Sequence, residues 1–520
     1  MDLLVVPPLT DFTTEVVPPA GMEPLDLNAH LVRRLADPAR LRAAVGRHAV
    51  GPLTALFGLA AAAILERRAY DDAHLRAVGT ALGLAGDPAV RLAIDGLELV
   101  EGSRQSSRDL LAAARRCELF RPEVELARQA ADGRHTHVVV DVADQLPGAF
   151  ALVEALGPGR VTLCGRFAAE HAAALGRVPE LAGVRWGSWS PERVIRPHWC
   201  ARRRHGDHAP GLGDHASGPD DQASSRGRSG SSAGERVTAS GRQVFRSGER
   251  VRRAGGWVRW VTGAGLPPER GPWAGWLDAE RVAAFPREAL ARCAGLTLVV
   301  TRADFLGAAT GMNGVTVNLR GLMAAIPRGV PVTCELAVGA PGVPAGVVVE
   351  SAELLADGAG GVRLGGLRPY RMGIRATWAG NSVRFPPAAG DDLARWLAFG
   401  SPDTMRPREV AMLIRRWQER LPGLLPGRLA ACSVALDSPG PGPAWDPCAE
   451  VVAGAGPDGH GPGTFAVNLR SGRSFRLHQR LIVPVTRLST DPHALDGLTP
   501  PAREHLTAQL TRAGVLRRCP

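Results

Sequence analysis

The chain has no lysine. All 62 of its basic residues are arginine, set against 51 acidic ones for a formal net charge of +11. Surfaces selected to bind nucleic acid ordinarily mix lysine and arginine in patches. A lysine-free chain with 62 glycines and 42 prolines reads instead as a coding bias toward GC-rich codons. The basic balance is therefore no argument for nucleic acid, and no nucleic-acid partner is expected. Long apolar runs are missing too. The most apolar helical stretch, Leu53–Leu65, is shorter than the ~20 residues a membrane span requires, so no membrane partner is expected. The opening MDLLVVPPL lacks the basic n-region of a secretion signal and passes straight into a strand-like run, so the expected location is cytoplasmic.

Cysteine is sparse and scattered. The eight thiols, at 117, 164, 200, 293, 334, 432, 448 and 519, include no two within four residues of each other. That excludes local zinc ribbons, Cys-x2-Cys redox pairs and three-cysteine iron–sulfur loops. Buried or incidental thiols in a reducing compartment are the plain reading. No serine-hydrolase elbow, phosphate loop, His-Glu-x-x-His or Gly-x-Gly-x-x-Gly pattern occurs. The stretch GAATGMNG at 307–314 lacks the Lys-Ser/Thr ending of a phosphate loop.

What is present is an apolar fraction of 45%, enough for ordinary cores, in 520 residues, long enough for several domains. Short apolar strands alternate with helical periodicity: DLLVV at 2–6, HVVVDV at 137–142 and the run from Arg160 to Leu163. Helical spacing covers Leu27–Leu35, Pro52–Arg68, His74–Leu82, Gly148–Leu156 and Ala168–Leu175. This pattern predicts a doubly wound parallel sheet, an α/β fold. Ligands in such sheets bind beyond the carboxyl ends of the strands, which here carry Thr10, Gln145, Gly165 and Arg166. Residues 200–250 are rich in Gly, Ser, Asp, Arg and His and carry no apolar period, so a disordered tether is expected there. Strands follow at 257–262 and 296–301, with a helix predicted across Asp278–Cys293. The segment 329–374, GVPVTCELAVGAPGVPAGVVVESAELLADGAGGVRLGGLRPYRMGI, reads as strand, GAPG turn, helix and strand, ending at Arg368, Tyr370 and Arg371. Pro407–Leu424 is an arginine-rich amphipathic helix, and Pro439–Pro462 reads as a Gly/Pro linker. The tail predicts two strands, TFAVNL and SFRLHQ, and helices at Ile482–Leu488 and Pro501–Ala513.

The segment 329–374 resembles a late βα unit of the radical S-adenosylmethionine (SAM) barrel, where a strand ends in Gly-x-Pro-Gly before a helix. ALARCAGLTLVVTRAD resembles a neighbouring unit of the same barrel. LLVVPP, DVADQLPGAFALVEAL and VTLCGRFAAEHAAALGRVPEL resemble the cobalamin-binding domain that precedes that barrel in one subgroup. The Cys-x3-Cys-x2-Cys triplet of the family is absent, as is the Asp-x-His-x-x-Gly corrinoid motif, and Cys164 replaces the usual second glycine of the corrinoid turn. The tail resembles the winged-helix peptide-recognition modules that accompany such enzymes. The resemblance implies a cobalamin-binding-like domain over 1–198, a tether over 199–253, a partial (β/α) radical-SAM-like barrel over 254–440, a linker over 441–462 and a small α+β winged-helix-like module over 463–520.

Each candidate site has a structural alternative. Gly339 and Gly342 would rim a nucleoside, or simply form a tight turn. Asp304, by resemblance, would face SAM. Arg368 and Arg371 would clamp a carboxylate or phosphate, or pair with surface acids. Tyr370 is a conceivable acid. His198, Cys200, His205 and His208 form the one metal-like cluster, in a segment better read as a polar linker. Tail strands near Phe465–Leu469 and Phe475–His478 would offer an edge to a precursor peptide. The expected role is a degenerate, non-catalytic accessory or substrate-presenting component of a biosynthetic pathway such as peptide tailoring. Its partner would be a biosynthetic enzyme or precursor peptide. The alternatives are a corrinoid- or SAM-dependent methyltransferase using a retained cleft and a pure peptide- or protein-binding module. Cobalamin or SAM are the candidate cofactors; a [4Fe–4S] cluster is not expected. Anaerobic reconstitution should therefore leave under about one iron per chain; about four, lost in Cys200→Ala, would overturn that expectation.

Overall fold

A computed structural model describes residues 1–196, 258–429 and 444–517, apart from 10, 48–50, 68–71, 264, 305–306, 329, 359–361, 375–381, 402, 422–423, 426, 428 and 458–460. Thr10, the cluster His198, Cys200, His205 and His208, and the whole of the tether at 199–253 lie outside the described residues.

The chain is α/β. One sheet is wholly parallel, in the spatial order Met22–Asp26, Asp2–Val6, Thr136–Val139, Val161–Cys164, Arg185–Trp186. Numbered along the chain this is 2-1-3-4-5, a doubly wound order that reverses between Asp2–Val6 and Thr136–Val139. Burial on both faces explains why DLLVV and VTLC are continuously apolar or nearly so, rather than alternating. Helices Ser107–Arg116, Arg121–Ala131 and Leu146–Leu156 pack on this sheet through Leu110, Ala127, Phe150 and Leu152.

A second sheet has seven strands, in the order Arg363–Pro369, Val332–Val338, Cys293–Val300, Trp273–Asp278, Arg259–Thr262, Glu192–Ile195, Thr14–Val17. Its five strands from Arg259–Thr262 to Arg363–Pro369 are parallel and lie in chain order, interrupted in sequence by a separate antiparallel three-stranded sheet, Arg302–Ala303, Ala308–Thr310 and Thr316–Asn318. The last two of the seven pair antiparallel and come from the first 196 residues of the chain. Asp26 helps to join the two sheets. It ends the strand Met22–Asp26, caps helix Leu27–Leu35 by accepting from Ala29 N at 2.8 Å, and pairs with Arg196 at 2.6 Å. The helix predicted over Asp278–Cys293 is instead two short helices, Ala279–Ala283 and Arg287–Leu290, broken at Pro286. The strand Trp273–Asp278 precedes them, and its aromatic residues suit a strand that is mostly buried.

The tail differs from expectation. Ala449–Ala455, read from sequence as linker, is a strand paired antiparallel with Pro462–Asn468. Pro462–Asn468 pairs on its other side with Arg473–Leu477. The strand predicted near Phe465–Leu469 thus occupies the middle of a three-stranded sheet, and the edges are Ala449–Ala455 and Arg473–Leu477. Glycines at 454 and 456 hid the extra strand. This sheet leans on helix Pro52–Glu66, which is apolar all round because it is covered on two sides. Its Ala61, Ile64 and Leu65 face the core beneath the first helices, while Leu56 and Ala60 meet Phe465 and Val467. Arg470 adds a buried tie, reaching Asp72 at 2.6 Å and Asp446 at 3.4 Å. Among the described residues no helix is long and apolar enough to cross a membrane.

Arg470→Met should destabilise the protein by on the order of 3 kcal/mol in urea unfolding, the low end for breaking a buried pair because Arg76 and Arg517 still reach the two carboxylates. A loss under about 1 kcal/mol would mean that the tie is not structural.

Candidate functional site

The five parallel strands of the second sheet have unlike faces, because alternate side chains point opposite ways. Leu277, Leu298 and Leu336 face a helix-covered core. The opposite face carries Trp276, Asp278, Thr297, Thr333 and Glu335, and Arg368 reaches into the same group. Glu335 is 4% exposed. Its carboxylate accepts from Trp276 Nε1 at 2.8 Å and Gly427 N at 3.1 Å and pairs with Arg368 at 3.3 Å. Arg368 also stands 4.9 Å from the centre of the Trp276 ring. A buried glutamate is tolerable because its oxygens are shared among these donors.

Toward the carboxyl end, Asp278 and Tyr370 grip one loop residue. Asp278 accepts from Met312 N at 2.7 Å, and Tyr370 donates its hydroxyl to Met312 O at 3.1 Å. Asp278 also accepts from Glu280 N at 3.1 Å, and Glu280 bonds Asn313. A side chain at Gly311 would run into the Asp278 carboxylate, so the loop can lie this close only with glycine there. Burial first, and then the Glu280 charge, push the Asp278 carboxyl up to about 6. Burial and then Asp278 push the Tyr370 hydroxyl up to about 12. A carboxyl titrating near neutrality is able to exchange a proton. Here both of its oxygens hold backbone N–H groups, so its first task is to position the loop.

In the first sheet, Asp141 is the organising acid. It accepts from Arg166 N at 3.0 Å and Ser190 Oγ at 2.9 Å, and pairs with Arg193 at 2.9 Å. Gln145 is fully buried and turns its Oε1 onto Asp141 N and Val142 N, at 2.7 and 3.2 Å. Its Nε2 has no partner among the described residues. Gly165 has φ +100°, and a Cβ there would meet the Val140 backbone at 2.7 Å. Arg166 crosses to the second sheet and donates to Thr262 O at 3.3 Å. The carboxyl ends of both sheets therefore meet at Arg166.

The structure brings Arg368 and Tyr370 together around Met312, and Gln145 and Arg166 together around Asp141. Asp304 stands apart from these contacts in an exposed hairpin turn, where it accepts from Ala308 N at 2.9 Å. Gly339 has φ +89°, and Val410 lies 2.7 Å from where its Cβ would be; Gly342 has φ +68° and open space around it. Arg371 lies beside Trp396, 5.8 Å from its ring centre. Sequence reasoning missed Asp278, Glu335 and Asp141. Asp141 was visible as the acid inside HVVVDV, and Asp278 as the end of the aromatic run WAGWLD. A hollow of about 380 Å³ lined by Arg128, Asp132 and Arg160 lies at the amino ends of the first sheet, away from these groups. No protein-family model, no curated protein and no solved structure matches the chain.

Because the folded Asp278 carboxyl titrates higher than the usual carboxylate value, its contribution is fully present below about pH 4 and is lost as pH rises through about 6. Asp278→Asn removes that loss. The melting temperature of the variant relative to the parent should rise between pH 4 and 7 in differential scanning fluorimetry. A difference constant across that range would place Asp278 outside the pH dependence.

Proposed function

We propose that the chain is a cluster-less relative of the cobalamin-dependent radical-SAM proteins that serves as a non-catalytic accessory or substrate-presenting component of a biosynthetic pathway such as peptide tailoring. The observation that carries the reading is a combination. Five parallel strands follow one another in chain order, as a partial barrel requires, and meet a 2-1-3-4-5 sheet at their carboxyl ends. Yet the sequence lacks the cysteine triplet that would give such a scaffold its chemistry. The cobalamin-binding-like and radical-SAM-like identities of the two sheets belong to this proposal, as does a peptide or partner enzyme for the tail.

The residues that would hold a corrinoid or SAM fit those groups poorly. Gly165 packs on the Val140 backbone, Gln145 caps its own turn, and Pro8 lies against Gly148, 2.9 Å from where its Cβ would be. Gly339, at the turn that would rim a nucleoside, is covered by Val410. These contacts favour the accessory reading over a methyltransferase using a retained cleft. The purified chain, handled anaerobically, should give no calorimetric heat with hydroxocobalamin or with SAM at about millimolar concentration. Saturable binding of either would favour the methyltransferase alternative and overturn the non-catalytic reading.

A further inference from the structure

We infer that the seam between the carboxyl ends of the two sheets binds a small phosphate-bearing anion through Arg166, Arg371 and Arg395. The three arginines come from separate elements. Arg166 opens helix Arg166–Glu170 after a first-sheet strand; Arg371 follows the second-sheet strand Arg363–Pro369; Arg395 precedes the strand Trp396–Leu397. The Arg395 guanidinium lies 5.3 Å from the centre of the Phe167 ring and 5.2 Å from that of Trp396, and Arg371 lies 5.8 Å from the same Trp396 ring. Phe167 is the neighbour of Arg166 in the chain, and Arg395 feels the charges of both Arg166 and Arg371.

Among the described residues no carboxylate forms an ion pair with any of the three. Asp144 is committed to Arg104 at 3.1 Å, and Glu335 to Arg368 at 3.3 Å. Glu98 and Glu170 contribute field at a distance. Among the described residues, Arg166 donates to a carbonyl, and the Arg371 and Arg395 guanidiniums make ring contacts without a carboxylate partner.

The backbone beneath them is fixed. Gln105 Oε1 accepts from Arg395 N and from Trp396 N, both at 2.9 Å. Asp392 accepts from Ser107 N at 2.8 Å and from Ser107 Oγ at 2.7 Å, and Leu393 is buried in the core of the first sheet. Holding like charges this close costs free energy that a bound anion relieves, and a preorganised set loses little entropy on binding. A phosphate brings about two charges and several acceptor oxygens, which suits several forked guanidiniums better than a single carboxylate does. The Trp396 ring is already in contact with two guanidiniums, so the anion rather than a stacked base is what the site would recognise.

The site stands independently of the proposed kinship with radical-SAM proteins. Calorimetry on the full chain at low salt, with inorganic pyrophosphate as the probe, tests it. Saturable binding is expected, weakened about tenfold or more in Arg371→Gln or Arg395→Gln and lost in the double variant, with circular dichroism confirming the fold. Arg415→Gln, on an exposed pair with Glu419, should bind as the parent does. No binding of pyrophosphate, or undiminished binding by the double variant, would overturn the site. Citrate binding as tightly as pyrophosphate would overturn the phosphate class.

Discussion

The structure depends on one piece of strand pairing. Thr14–Val17 hydrogen-bonds antiparallel to Glu192–Ile195, four residues to four, at the edge of the second sheet. To make this pair the chain leaves the first sheet after Val6, contributes a strand to the second, and returns to the first at Met22. The Glu192–Ile195 strand comes over from the first sheet after Arg185–Trp186, and Arg193 carries an ion pair back to Asp141 at the end of the first sheet. Neither sheet is complete without a segment that starts in the other. Their carboxyl ends are adjacent for this reason, and a link such as Arg166 to Thr262 becomes short enough to form.

The same geometry explains the distribution of polar groups. A parallel sheet covered by helices on one face has no room there for charge. The charged residues of the second sheet are gathered on the other face and at its carboxyl end, where Glu335, Asp278, Arg368 and Tyr370 satisfy one another and the neighbouring backbone. Much of this polarity serves construction. Glu335 holds the Gly427 backbone, and Asp278 with Tyr370 holds Met312.

The parts of this fold that could be read from the sequence are those where local pattern and tertiary setting agree. The strands Asp2–Val6 and Val332–Val338, and the helices Leu27–Leu35 and Ala345–Ala356, have strong apolar periods and clear turn residues at their ends. The strands Thr14–Val17 and Met22–Asp26 were illegible because they are short and only partly buried, so no alternation marks them. Ala449–Ala455 was hidden by its glycine and alanine content. For the candidate site, the sequence marks Arg368 and Tyr370 as residues closing a strand. It does not show that Asp278, some 90 residues earlier, shares Met312 with Tyr370, since that needs the register of three intervening strand pairings.

The buried tie between the tail and the early helices has a consequence for synthesis. Asp72 belongs to a helix near the beginning of the chain, while Cys448, against which it packs, lies 376 residues later. A ribosome adding roughly 5–20 residues per second would take on the order of 20–75 seconds to cover that distance. Throughout that interval the apolar outer side of helix Pro52–Glu66 has no sheet to cover it, and Asp72 waits for Arg470. The emerging chain therefore carries an uncovered apolar helix through most of its translation, and the early helices reach their final packing only once the last portion of the chain has been made.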